Sequence, residues 1–279
     1  VIDLHLHSTA SDGRLRPSEL VQQSAAAGLT VISLTDHDTI GGLEEARRSA
    51  NEVGIRLING IEITAIERGR DVHVLGYFFD SRAAALLKFL EGQRQERIRR
   101  VRDMAARLAH LGCPVDVESV IDALPPGGSV GRPALADALV EAGHATGRRD
   151  AFDRLLGYGC PAFVPRTGPN LPTVVEKIRS AGGIASLAHP GLTAMDEDIP
   201  RFVAAGLSAL EARHSDHCPD TEQWYRHLAT ALGLVVTGGS DFHADPAHHA
   251  KVLGGVSLGA EDFAALEFRA QTLGARVTH

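Results

Sequence analysis

Short apolar runs alternate with amphipathic stretches through most of this 279-residue chain. Runs at Val1–Leu6, Thr30–Thr35, Arg56–Thr64, Val72–Phe79, Ile184–Ala188, Ser208–Ala212 and Leu234–Thr237 are short and β-branched, as strands buried on both faces are. Helical spacing separates many of them. Pro17–Ala27 opens on proline and stops at Gly28; Leu43–Val53 stops at Gly54, Leu171–Ala181 at Gly182, Pro200–Ala205 at Gly206 and Asp220–Leu232 at Gly233. Strand, helix, glycine and strand in alternation predict βα units around a mostly parallel sheet. Seven strands predict an α/β fold built as a distorted, incomplete barrel.

The rhythm breaks between about Asp80 and Arg166. Helical spacing covers Ala83–Leu111, Val117–Leu124, Pro133–Ala142 and Arg149–Leu156, and the next strand-like run is Ala162-Phe163-Val164. The chain therefore reads as a barrel from 1–80 and 165–279, with 81–164 a helical insert capping one face. Pro125-Pro126-Gly127-Gly128 reads as a loop within the insert. The long helix carries Leu87, Leu90, Arg94, Ile98, Val101, Ala105 and Leu108 as one seam. Of its arginines at 94, 97, 99, 100, 102 and 107, most are expected on a solvated face with Glu91, Glu96 and Asp103, and one or two over the barrel mouth.

Polar residues collect at or just after the ends of the apolar runs: Asp3-Leu4-His5-Leu6-His7, Ser11-Asp12-Gly13, Thr35-Asp36-His37-Asp38, Glu62, His73, Ala188-His189-Pro190 and Ser240-Asp241-Phe242-His243. On a strand, side chains two apart point to the same side, so His5 and His7 can chelate one ion. The remaining imidazoles and carboxylates are too many for one ion, and all offer N or O atoms, suited to Mn²⁺, Fe²⁺ or Zn²⁺. One of Asp36 and Asp38 is expected to orient an imidazole from behind, although Asp38 also suits a helix cap before Leu43. Net charge is −7, which disfavours gripping duplex DNA by bulk electrostatics. Three cysteines without a C-x-x-C pair, and no run of about 18 apolar residues, lead to the expectation of a cytoplasmic protein with no membrane association.

These motifs, in this order and across nearly the whole chain, resemble the polymerase and histidinol phosphatase (PHP) superfamily. The resemblance implies a distorted seven-stranded barrel with two to three divalent ions at the strand C-termini. His5, His7, Glu62 and Asp241 would hold one ion; Glu62, His73 and His189 a second; Asp12, His37 and His243 a third. His5, His7, Glu62, Asp241 and His243 would be the catalytic set. Asp12 in Ser-Asp-Gly is similar to the branch acting on nucleotides and small phosphate esters, where some relatives carry histidine. Arg132, opening an insert helix, and Arg166, at the return to the barrel, are the candidate phosphate-binding groups. Similar proteins often carry histidine two residues after that first arginine; this chain has Ala134. His214 and His217, directly after a strand, are candidates for lining the mouth or serving the leaving group, whereas Glu211 and Arg213 read as structural. His110, His144, His227, His248, His249 and His279 lack motif context and read as surface or helix-end residues.

The implied activity is hydrolysis of a phosphate from a nucleotide, most like the 3′,5′-nucleoside bisphosphate phosphatases, with short single-stranded RNA as a linked substrate. Histidinol-phosphate phosphatase is the alternative enzyme, and the insert and Asp12 speak against it. A polymerase-associated exonuclease is disfavoured by the lack of polymerase-like sequence after residue 270. A non-catalytic metal-binding module would show a lost ligand, and all nine positions are filled.

Overall fold

The computed structural model describes residues 1–245 and 252–275. His248, His249 and His279 lie outside the described residues. Seven strands form one sheet in sequence order: β1 (Ile2–Leu6), β2 (Val31–Leu34), β3 (Arg56–Glu67), β4 (Arg70–Tyr77), β5 (Ile184–Leu187), β6 (Ala209–His214) and β7 (Val235–Gly239). Beyond the end of β7, Phe242 bridges Leu6 in parallel and its carbonyl accepts the His7 N–H at 3.0 Å. The first and last strands thus meet, and the sheet is nearly closed into a barrel.

The sheet is mostly parallel, as expected, with one strand reversed. β1–β2–β3 and β5–β6–β7 pair in parallel, but β4 is antiparallel to both β3 and β5. The cause is a two-residue hairpin loop, Arg68-Gly69, with φ of 50° and 75°. Two successive positive φ values match the right-handed twist of a strand pair. β3 consequently runs three residues beyond the expected Thr64, and His73 comes near the start of its strand. Because β4 runs backwards, its beginning lies at the same mouth as the ends of the parallel strands.

Helices α1 (Pro17–Ala26) and α2 (Leu43–Val53) cover the first strands. The Arg16 N–H donates to Glu19 at 2.9 Å at the start of α1, and α2 stops at Gly54 with φ of 75°. Between β4 and β5 the chain forms α3 (Ala84–His110), α4 (Val117–Asp122), α5 (Arg132–Glu141), α6 (Arg148–Ala151, continued by a π turn over Phe152–Leu156) and α7 (Leu171–Ser180). α8 (Pro190–Thr193), α9 (Ile199–Ala204), α10 (Pro219–Ala231) and α11 (Ala260–Thr272) follow. The sequence pattern did not predict α11, which packs Phe263, Leu266 and Ala270 with Ile2 and Leu4 of β1.

Apolar side chains of α3, α5 and the π turn form their own cluster, including Ile98, Met104, Leu108, Leu135, Leu139 and Leu156. Within α3 the buried stripe differs from the predicted seam: Leu86, Gln93 and Arg97 point inward, while Leu87 is 43% exposed. Arg94, Arg99 and Arg102 pair with Glu91, Glu96 and Glu118 at the surface, as expected, while Arg97 and Arg100 turn inward. Ala162–Val164 is not a strand. Its carbonyls are taken instead by α3, with Arg107 donating to Phe163 O at 2.6 Å and Arg100 to Val164 O at 2.8 Å.

Candidate metal centre

β1 delivers His5 and its extension delivers His7, both fully buried and facing the barrel mouth. Glu62, on β3, stands between them and the rest. Its Oε2 lies 3.4 Å from His5 Nε2, 3.3 Å from His7 Nε2 and 3.1 Å from His37 Nδ1. Its Oε1 lies 2.9 Å from His73 Nδ1 and 3.1 Å from His189 Nε2. One carboxylate therefore faces two sets of imidazoles with its two oxygens. Asp241 Oδ1 completes the first set, 3.4 Å from His5 Nε2 and 3.2 Å from His7 Nε2. Asp12 gathers a third group, 3.3 Å from His243 Nε2 and 3.8 Å from both His7 Nδ1 and His37 Nε2. All nine residues named from the sequence meet at one mouth, with His37 reaching both Glu62 and Asp12.

The donor set fits divalent ions. His5 Nε2, both ring nitrogens of His7, His37 Nδ1, His73 Nδ1, His189 Nδ1 and Glu62 Oε2 are buried without a hydrogen-bond partner. So many orphaned lone-pair atoms cost free energy unless a cation satisfies them. Groups able to place one ligand atom each around a common point include His5–His7–Asp241, His37–Glu62–His73 and His7–Asp12–His37–His243. His189 and Asp241 hold φ of 26° and 52°, left-handed values that cost non-glycine residues of order 1–3 kcal/mol. Gly239 is required here, because a Cβ would come within 2.4 Å of the His5 Cβ.

Charge in the site is already balanced internally. Burial disfavours ionisation of Glu62, yet His37, His73 and His5 hold it well below the usual carboxylate range. Burial likewise opposes charge on His7, but the neighbouring carboxylates of Asp241 and Glu62 raise it to about 10. His37 goes the other way, to about 3, because burial and the neighbouring His7 and His73 outweigh Glu62 and Asp12.

Two residues of β6 back this centre, one of them (His214) already a candidate from the sequence. Glu211, read as structural, is fully buried; its Oε1 lies 2.9 Å from His5 Nδ1, and its Oε2 accepts the His189 N–H at 2.7 Å. It thereby holds the Nδ1–H tautomer of His5, leaving the Nε2 lone pair facing Glu62 and Asp241. His214 is buried, with Nδ1 accepting the Asp216 N–H at 3.1 Å and Nε2 3.5 Å from Asp241 Oδ2. The available signal was position: both lie on β6, separated by the strand irregularity between Glu211 and Arg213.

Other expectations need correction. Among the described residues, neither Asp36 nor Asp38 hydrogen-bonds an imidazole. Asp36 accepts from Ser8 N–H at 2.7 Å and from the Ser8 and Ser11 hydroxyls at 2.6 Å each, tying down the loop that carries His7 and Asp12. Asp38 takes Arg97 Nε at 2.6 Å, Arg166 Nη1 at 3.0 Å and the Thr64 N–H at 2.8 Å. It is buried, but these two guanidiniums keep it ionised far below the usual range. His217 does not face the mouth as a free group: Nδ1 donates to Ala212 O at 2.8 Å and Nε2 accepts the Gly191 N–H at 3.2 Å. It braces the turn after His189. Arg166 is committed to Asp38, whereas Arg132 makes no hydrogen bond or ion pair among the described residues and lies over the rings of Phe152 and Phe163 at 5.6 and 5.7 Å.

Comparison with known proteins agrees with this geometry. A family model described as the PHP domain matches residues 3–143. A 5′-3′ exoribonuclease of Haemophilus influenzae is 39% identical over 86% of this chain and 89% of its own length. A 3′,5′-nucleoside bisphosphate phosphatase of Chromobacterium violaceum is 34% identical over 87% of each. A solved structure from Bifidobacterium adolescentis, named as a metal-dependent phosphoesterase, superposes with a TM-score of 0.88 at 31% identity over 96% of both chains. With its imidazoles shared around one buried glutamate, this chain belongs to the PHP-domain family and is a metal-dependent phosphoric ester hydrolase.

Proposed function

We propose that this enzyme hydrolyses a phosphate monoester of a nucleotide, with 3′,5′-nucleoside bisphosphates as the substrate class and short single-stranded RNA as a linked substrate. The observation that carries the reading is the division of the two Glu62 oxygens between two sets of imidazoles. His5, His7, Glu62 and Asp241 would hold one divalent ion, Glu62, His73 and His189 a second, and Asp12, His37 and His243 a third, with Mn²⁺, Fe²⁺ or Zn²⁺ all suited to the ligands. Bound divalent cations supply Lewis acidity there, making a water nucleophilic at neutral pH and offsetting charge on the phosphate oxygens. The names of the Haemophilus and Chromobacterium relatives support a nucleotide substrate.

The protein's own part is positioning. Glu211 fixes the His5 ring, and Asp36 fixes the loop bearing His7 and Asp12. Arg132, with no carboxylate at ion-pair distance among the described residues, would receive a substrate phosphate, and Arg166 would add positive potential from behind Asp38. In this reading residues 81–164 form a cap over the barrel of 1–80 and 165–279. No described helix is long and apolar enough to cross a membrane, and we place the enzyme in the cytoplasm, where its cysteines, unpaired in the structure, are stable.

Phosphate release by Mn²⁺-loaded protein tests this directly, comparing adenosine 3′,5′-bisphosphate, AMP, a short 5′-phosphorylated RNA and histidinol phosphate. Preference for the bisphosphate, alone or with the RNA, is expected and would make Ala134 a tolerated departure. Preference for histidinol phosphate would overturn the substrate and keep the metal site.

A further inference from the structure

Beyond the metal ligands, the helical segment carries a wall of cations with too few partners. Arg97 and Arg166 share the single carboxylate of Asp38. Arg100 is 7% exposed, donates through Nε to Val164 O, and buries Nη2 without a hydrogen-bond partner among the described residues. Arg132 has no polar partner among the described residues. Surrounded by one another, and desolvated, Arg100 is pushed down to about 10 and Arg132 below its ordinary range, so both are charged but poorly satisfied. A buried guanidinium without a counter-ion is costly, and an anion relieves that cost.

This wall adjoins the metal centre. Arg97 Nη2 lies 3.3 Å from Thr64 Oγ1, and Thr64 is the strand partner of His73. Asp71, two residues before His73 and so on the same face of β4, attracts Arg100, Arg132 and Arg166. From there the wall continues into an aromatic pair. The Phe163 ring lies under Arg100 at 5.6 Å and Arg132 at 5.7 Å, and its centroid is 5.3 Å from that of Tyr158. Tyr158 is 81% exposed, in a turn between Gly157 and Gly159. A single exposed ring is ordinary on a protein surface. A ring joined through Phe163 to two guanidiniums with no carboxylate at ion-pair distance among the described residues is a different object: under-compensated positive charge with an open π face beside it, the pair of features that single-stranded nucleic acid uses for its backbone and bases.

We propose that Arg100, Arg132, Phe163 and Tyr158 form a docking platform for the nucleotide next to the reacting one in a single-stranded oligoribonucleotide, its phosphate on the two guanidiniums and its base stacked on Tyr158. The platform rests on the nucleotide reading above and adds where the second residue goes. Stacking uses the π face common to all bases, so recognition there is independent of sequence. It also requires unpaired bases, which excludes duplex.

The test uses the metal-loaded enzyme and two readouts. In the first, kcat/KM is measured for a 5′-phosphorylated pentaribonucleotide and for adenosine 3′,5′-bisphosphate, and their ratio is compared between wild type, Tyr158→Ala and Tyr158→Phe. The ratio is expected to fall about tenfold in Tyr158→Ala and to be restored in Tyr158→Phe, because stacking needs the ring and not the hydroxyl. An unchanged ratio in Tyr158→Ala overturns the platform while leaving nucleotide hydrolysis standing. In the second, fluorescence anisotropy follows binding of a 3′-labelled, phosphorothioate-linked pentaribonucleotide. Kd is expected to rise about tenfold in Tyr158→Ala, and equal binding by the two proteins overturns the proposal. If wild type turns over no nucleotide, the nucleotide reading fails on the first readout and the second still decides the platform.

Discussion

The barrel mouth and the inner side of the helical segment treat charge in opposite ways. At the mouth, carboxylates and imidazoles interleave so closely that Glu62 alone approaches five imidazoles, and each sign finds the other. On the helical side, Arg97, Arg100, Arg132 and Arg166 have only Asp38 at ion-pair distance among the described residues. The first region suits cations, whose binding would replace protons on the same ligands. The second suits anions. His73 and its neighbour Thr64 stand at the seam, so a phosphate there would meet cations from both sides. The lesson is that a phosphoesterase site needs two electrostatic designs, one built from redundant ligands and one from deliberate surplus.

Breaking the mouth has the largest expected effect. Asp241→Ala removes the oxygen facing both His5 and His7 and is expected to lower kcat/KM by about a thousandfold or more, of order 4 kcal/mol. Its circular dichroism and melting curve should stay close to wild type. Near-normal hydrolysis would remove Asp241 from the ligand set. Glu211→Gln probes the support behind the ligands and is expected to weaken metal binding roughly 10- to 100-fold, read by titration against a competing chelator. Unchanged affinity would make Glu211 a packing residue.

On the opposite wall, Arg132→Ala is expected to raise KM or lower kcat about tenfold with metal content unchanged, the loss of one charge-assisted contact. Kinetics equal to wild type would take Arg132 out of the substrate path. The smallest effect belongs to the join between the two regions. Asp137 on α5 accepts from Arg14 at 3.0 Å and from Arg148, which also pairs with Asp245 beyond His243. Asp137 is partly exposed, so Asp137→Asn should cost at most about 1 kcal/mol and lower Tm by no more than about 4 °C in a thermal melt. A much larger drop would show that the helical segment and the His243 loop stand or fall together.

The same contrast explains what the sequence revealed. Each candidate ligand at the mouth sits in a short motif beside an apolar run, and strand periodicity alone aims His5 and His7 together. The barrel was therefore legible from local pattern, apart from β4, whose reversal depends on two positive φ values at Arg68 and Gly69 that no apolar run signals. Glu211 looked structural because a lone glutamate on a strand does so until the nearly closed barrel brings its side chain to His5 of β1 and the His189 N–H after β5. Asp36 and Asp38 look interchangeable around His37, yet one turns to serines and the other to arginines. The arginines of α3 share one spacing and one chemistry, and only the packing of α3 against the barrel separates Arg97 and Arg100 from Arg94, Arg99 and Arg102.

In the proposed site, Glu62 would join two cation sites through its two oxygens. Metal stoichiometry by mass spectrometry, measured along a Mn²⁺ titration for wild type and Glu62→Gln with phosphate release followed in parallel, addresses it most directly. At least two ions per chain are expected at full activity, with occupancy and hydrolysis lost together in Glu62→Gln. A wild-type enzyme fully active with one bound ion, or a Glu62→Gln protein that keeps its metals and its rate, would contradict it.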